Sequence, residues 1–176
     1  MYNKFLFVFL TFSLSFCSNN DCKRVSVFEN EVSFCIANCY VPENNSFSKP
    51  YYIISDTFFY DSITKSSIEI KIADSLHAIN LEDTSSFQNI EHYLYYSGAK
   101  GFIVLDKIIK EYNSRKLGIV EYQFSDYDNN FCYGALIFFR YKEHYYTVEI
   151  VSLKQSLDSF NKQLKLFTEN IHFSEE

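Results

Sequence analysis

The sequence predicts an α+β domain, with an antiparallel β-sheet of about six to eight strands flanked by two helices. Three observations lead there. From Phe102 onward, four β-rich segments follow one another across short polar gaps. The closing segment carries apolar residues at helical spacing, and a capping pattern at Ser85 opens a second helix.

Residues 1–16 contain one cation, Lys4, and an apolar run from Phe5 to Phe16 broken by Thr11, Ser13 and Ser15, with no acid. A short basic start ahead of an apolar centre is the layout of a secretory signal. The run of about a dozen residues falls short of the ~20 that cross a bilayer as a helix. Leu14, Ser15, Phe16 and Cys17 resemble the bacterial lipoprotein signal, in which a branched apolar residue and small residues precede an acylated cysteine. Phe16 departs from that pattern. The resemblance implies lipid attachment at Cys17, a polar tether over 17–24, a single domain over 25–176, and a membrane facing the periplasm or the cell surface. Ordinary cleavage after Ser15 is the other reading, and it leaves a soluble chain with all five cysteines.

Without the signal about 160 residues remain, enough for one domain that buries roughly two thirds of its unfolded surface. The whole chain carries a formal charge of −6 and has no basic stripe, which excludes a nucleic acid partner on electrostatic grounds. Nineteen phenylalanines and fifteen tyrosines are too many rings to expose, so most must be core. Export implies an oxidising compartment, in which cysteines pair. If Cys17 is acylated, Cys22, Cys35, Cys39 and Cys132 form an even set with three possible connectivities.

Val25–Phe28 and Val32–Ile36 read as a hairpin around Glu29, Asn30 and Glu31. It brings Cys22 opposite the neighbourhood of Cys39. Cys35 and Cys39 would lie about 13 Å apart on an extended strand, too far to join. The preferred pairing is therefore Cys22 with Cys39 and Cys35 with Cys132; buried free thiols are the alternative. Pro42 to Pro50 is a loop by composition. Tyr51–Tyr60 and Ser67–Ala73 follow as strands, the second alternating Ile68, Ile70 and Ile72 with Glu69 and Lys71.

Ser85 and Gln88 form a capping box, and Phe87, Ile90 and Leu94 share one stripe, so a helix runs from Ser86 to Ser97 and stops before Gly98. Four strands come next, Phe102–Tyr112, Leu117–Ser125, Phe131–Tyr141 and Tyr145–Leu153, in a meander. Pairing Tyr112 with Leu117 sets Ile109 against Val120 and Leu105 against Phe124 on the inward face. Leu153, Leu157, Phe160, Leu164, Phe167 and Ile171 then recur at intervals of four and three, with Lys154, Asp158, Lys162, Lys165 and Glu169 off the stripe. This is an amphipathic helix laid across the sheet.

The order of elements resembles the PsbP-like superfamily over residues 25–173. The resemblance rests on the Val41-Pro42-Glu43 step, on Thr84-Ser85-Ser86-Phe87 opening the middle helix, and on Phe160 to Phe173 closing the chain. It implies an α/β/α sandwich, generally without catalytic machinery, used in extracytoplasmic binding and assembly.

No residue set identifies a reaction. His77, His92, His144 and His172 are scattered, without metal-ligand spacing. Asp126, Asp128, Asn129 and Asn130 offer hard oxygen ligands, but the stretch lacks the glycine and the bidentate Glu of a calcium loop and reads as a hairpin turn. Glu149, alternating with Val148 and Ile150, is expected to point to solvent without a second carboxylate beside it. The expected interaction surface comprises Tyr95 and Tyr96 on the middle helix with Asp126, Tyr127, Asp128, Tyr141 and Tyr145 near hairpin tips. The functional expectation is an exported, lipid-anchored, non-enzymatic module that binds a protein partner in the envelope, with no cofactor and no metal. A toxin-neutralising immunity protein is the alternative, and a hydrolase or metal-binding domain comes behind both.

Overall fold

The computed structural model describes residues 22–43, 53–73, 81–82, 87, 100–112, 114–126, 128–153 and 156–174. Strands β1 (Cys22–Val27), β2 (Val32–Ala37), β3 (Val41–Glu43), β4 (Ile53–Asp61) and β5 (Ser66–Ala73) come first. After them come β6 (Lys100–Tyr112), β7 (Arg115–Ser125), β8 (Phe131–Tyr141) and β9 (His144–Ser152), then helix α1 (Leu157–Glu169) and β10 (His172–Phe173). They form a seven-stranded sheet of order β3-β4-β5-β9-β8-β7-β6 and a three-stranded sheet of order β1-β2-β10. Every pairing is antiparallel.

The large sheet is apolar on both faces. On one face Ile68, Ile70, Ile119, Ile137, Val148 and Ile150 join Phe34 and Ile36 of β2 and Phe160, Leu164 and Phe167 of α1 in the main core. Helix and small sheet therefore share one side, with Phe34 and Phe167 rings 4.7 Å apart between them. On the other face Val120, Tyr122, Leu136 and Phe138 pack around Phe87. Phe87 sits where a Cβ on Gly118 would otherwise stand. The remainder of the expected helix 86–97, with Tyr95 and Tyr96, lies outside the described residues, as do the signal and Cys17.

Helix α1 begins later and ends earlier than the apolar stripe implies. Ser156 caps it, its hydroxyl oxygen accepting the Ser159 N–H at 3.3 Å, and Leu157 in the first turn is exposed. At the other end the Asn170 side chain donates to Leu166 O at 2.9 Å, and the chain turns out to let His172 and Phe173 pair with Val32 and Ser33 of β2. Periodicity does not see this exit, because Ile171 and Phe173 remain buried or partly buried after the helix has stopped.

Three other expectations change. Val41–Glu43, expected in part as loop, forms an edge strand; Pro42 lacks an N–H but an edge tolerates that. Cys22–Arg24 belong to β1, so the domain starts inside the expected tether. Tyr112 opposes Arg115 rather than Leu117, because Ser114 takes a positive φ of 61° and closes a two-residue turn. Ile109 thus faces Gly118, and Leu105 falls on a bulge, 46% exposed instead of inward.

Cys22 is bonded to Cys35, with Cα atoms 5.5 Å apart, not to Cys39. In the hairpin register Cys22 opposes Ala37, and Cys35 is the diagonal neighbour on the same face. Cys39 lies past the strand, in the turn where the Tyr40 N–H bonds Ala37 O at 3.1 Å. It is itself disulfide-bonded, while Cys132 is a free, fully buried thiol in β8 and cannot serve Cys35. The even set of four that favoured acylation of Cys17 therefore does not hold.

Candidate interaction surface

Pairing of β5 with β9, strands far apart in the chain, creates the polar centre of the second sheet face. Glu69 stands directly opposite Glu149. Tyr122 reaches across from β7 and donates its hydroxyl to Glu149 Oε1 at 2.8 Å, and Lys71 Nζ lies 2.7 Å from Glu69 Oε2. Glu149 is only partly open, so the expectation that it points freely to solvent and has no second carboxylate nearby is corrected. Burial holds its carboxyl above the ordinary carboxylate range; Lys71 and the Tyr122 hydrogen bond oppose this, and Glu69 adds to it.

The sign of the pH effect follows. A carboxyl raised in the fold is easier to protonate there than in the unfolded chain, so its ionisation subtracts stability as pH rises from the ordinary value through the folded one. Glu149→Gln keeps an oxygen for Tyr122 and removes that titration. Its stability relative to the wild type should therefore improve as pH rises from about 4 to about 8, read as urea midpoints. A difference that stays flat over that range would contradict this placement of Glu149.

Of the expected tyrosine and aspartate surface, Asp126 and Tyr141 stand apart. Asp126 and Tyr141 flank opposite ends of β8, whose eleven residues extend about 34 Å. Asp126 is occupied with its own turn, its carboxylate accepting the Asn130 N–H at 2.8 Å, the Asp128 N–H at 2.9 Å and the Asn130 side chain at 3.0 Å. Those bonds, the Asn130 side chain first, hold its carboxyl below the usual range. Asp128 is exposed there, and Tyr127 lies outside the described residues. Among the described residues no group of three or more His, Cys, Asp or Glu is placed to hold a metal.

Tyr141 is buried, which corrects its assignment to a surface. Its hydroxyl bonds Ser174, and Arg115 lies over its ring at 4.6 Å and over Phe173 at 4.9 Å. Glu31 joins the same end, accepting from Tyr146 at 2.9 Å and from Lys142 at 3.2 Å, so its carboxyl sits low. This cluster fastens the small sheet to the large one. Tyr145 is partly buried, with the Arg140 guanidinium 5.5 Å from its ring centre.

Strand β6 is the surface that sequence reasoning missed. It closes one side of the large sheet and carries two register breaks, at Gly101 and at Leu105. Ile103 and Leu105 stand 61% and 46% exposed there. Alternation hid them, because two bulges change which side chains face inward.

Two packed layers, a meander with a returning hairpin beside it, and a closing helix make an α+β fold that is similar to those of PsbP and Mog1. The solution structure of CyanoP, the cyanobacterial PsbP from Synechocystis, superposes with a TM-score of 0.61 at 13% identity, covering 92% of this chain and 96% of that one. A mutant of protein Mog1 gives 0.57 at 11% identity, covering 87% of this chain and 96% of its own. A protein from Bacteroides thetaiotaomicron gives 0.52 at 9% identity over 88% of this chain, which spans 49% of that longer one. No family model matches the sequence, and no curated protein does.

Proposed function

We propose that the chain is an exported, lipid-anchored, non-enzymatic protein-binding or assembly module of the bacterial cell envelope. The observation that carries the binding reading is the bulged half of β6, where Ile103 and Leu105 lie open on an edge strand. Two exposed apolar side chains on an edge strand that also offers unpaired backbone groups give a partner both apolar and hydrogen-bonding contacts. The polar centre offers no comparable opening, since Glu149 is bonded to Tyr122 and Glu69 to Lys71.

Export is supported by the signal layout of residues 1–16 and by the Cys22–Cys35 bridge, which suits an oxidising compartment. The lipid anchor leans on the Leu14 to Cys17 pattern and the polar residues 18–21. Cysteine parity counts against it: with Cys22 paired to Cys35 and Cys132 free, the bonded Cys39 leaves Cys17 as the one remaining cysteine of the five, and acylation requires that thiol to be unpaired. A protein partner fits the surface, and the acidic balance of −6 disfavours nucleic acid.

Feeding a palmitate analogue to cells that express the full chain tests the anchor. Label on the wild type that disappears in Cys17→Ala, with the protein in the membrane fraction, is the expected result. Equal label in both, or full-length product in the cytosol with reduced thiols, overturns it. For binding, an envelope protein retained by the wild type should be lost with Ile103→Lys and Leu105→Lys combined.

A further inference from the structure

Past Leu105 the edge strand changes character. From Asp106 to Tyr112 each β6 residue opposes one β7 residue without a bulge. The run reads Asp106-Lys107-Ile108-Ile109-Lys110-Glu111. Laid antiparallel on a second copy of itself about Ile108, it sets Ile108 opposite the partner's Ile108. Two residues to either side, Asp106 meets the partner's Lys110, and Lys110 meets the partner's Asp106.

These three residues share one sheet face, by the period of two. Asp106 and Lys110 are exposed and Ile108 is half-buried. The same face has an electrostatic reason to take a cation. Asp106 stands directly across from Glu121, and like charges in that position repel. The Glu121 carboxyl is held high by burial first and by Asp106 second, with Lys110 opposing. The partner's Lys110 brings a second cation to an acidic pair that has one.

We propose that the regular half of β6 is a self-association edge, on which two copies pair Asp106–Lys110 antiparallel around Ile108 to form a symmetric dimer with one continuous sheet. Leu105 and the Ser114 turn bound the ladder on both sides. A pairing of β6 with itself about Ile108 is two-fold symmetric and uses the same edge on both copies, so the assembly closes at two copies. Ile103 and Leu105 remain outside the ladder, available to another partner. This dimer depends neither on export nor on the lipid.

Sedimentation of the purified full chain tests it. Lys110→Glu and Asp106→Lys each set like charges against each other twice, and each should weaken self-association about ten- to a hundredfold. An equimolar mixture of the two variants restores opposite charges at both positions and should form a heterodimer. Both substitutions are at exposed positions, so each variant should still fold and melt in one cooperative transition. On oxidation Ile108→Cys should crosslink to itself, whereas Lys107→Cys, which faces the partner's Ile109, should not. A wild type that stays monomeric at about 100 µM, near-millimolar affinities being too weak to matter, overturns the proposal. So does a dimer indifferent to both charge variants, a mixture that remains monomeric, or crosslinking through Lys107→Cys in place of Ile108→Cys.

Discussion

Phe34→Ala will lower the unfolding free energy by about 3–5 kcal/mol, the largest single-residue loss expected in this domain. Phe34 is fully buried on β2, its ring 4.7 Å from Phe167 of α1 and 6.1 Å, edge on, from Phe59 of β4. Removing it opens a cavity where helix, small sheet and large sheet meet. None of the three can close it alone, because each is held by its own hydrogen-bonded ladder. Two aromatic contacts are lost along with the buried area, each worth about 0.5–1.5 kcal/mol. Against a typical total of about 5–15 kcal/mol, this leaves the protein marginal. Urea unfolding followed by circular dichroism measures it. A loss below about 1.5 kcal/mol would mean that the small sheet does not share the main core.

The second large effect is expected at Gly134. It lies directly opposite Tyr122 across β7 and β8, and the Tyr122 ring passes over it on the way to Glu149. A Cβ on residue 134 would stand 2.5 Å from Tyr122 Cε2 and from its hydroxyl oxygen, closer than atoms approach. Tyr122 is almost fully buried and has no room to swing aside, so Gly134→Ala forces the ring off the carboxylate. Overpacking and a lost bond to a charged acceptor together cost about 2–4 kcal/mol. The diagnostic is non-additivity: in a Tyr122→Ala background, where the ring is gone, the same Gly134→Ala change should cost under about 1 kcal/mol. An equal cost in both backgrounds would place the damage in the β8 backbone instead.

Much of the element order was legible because its signals are local. Strand β8 runs from Phe131 to Tyr141, as expected, since a buried apolar run bounded by Asp-Asn and Lys-Glu turns marks its own ends. The stripe Phe160, Leu164 and Phe167 is buried as the helical spacing requires. The α1 exit was not legible, because Phe173 is apolar for the sake of Phe139 and Tyr141, whose rings lie 5.4 and 5.2 Å away. Periodicity records that a residue is buried without recording which neighbour buries it.

The polar centre shows the same limit. Glu69 and Lys71 alternate with Ile68, Ile70 and Ile72, and Glu149 alternates with Val148 and Ile150, so each strand separately announces one wet face. That the two wet faces are one face, with Glu69 opposite Glu149, depends on β5 leaving β4 on one side and receiving β9 on the other. Likewise Asp126 and Tyr141 both read as tip residues, and the strand between them separates them.

By itself the sequence determined most local states: where the long strands and the body of the closing helix form, which side of the unbulged strands is apolar, and that aromatics fill the interior. The tertiary structure alone decided the pairings, namely Cys22 with Cys35, Glu69 with Glu149, the seat of Tyr122 over Gly134 and the exposure of Ile103 and Leu105. The physical reason is range. Propensity and periodicity act over one or two turns of chain, whereas partner choice is settled by how whole faces pack and by bulges that shift a register by a single residue.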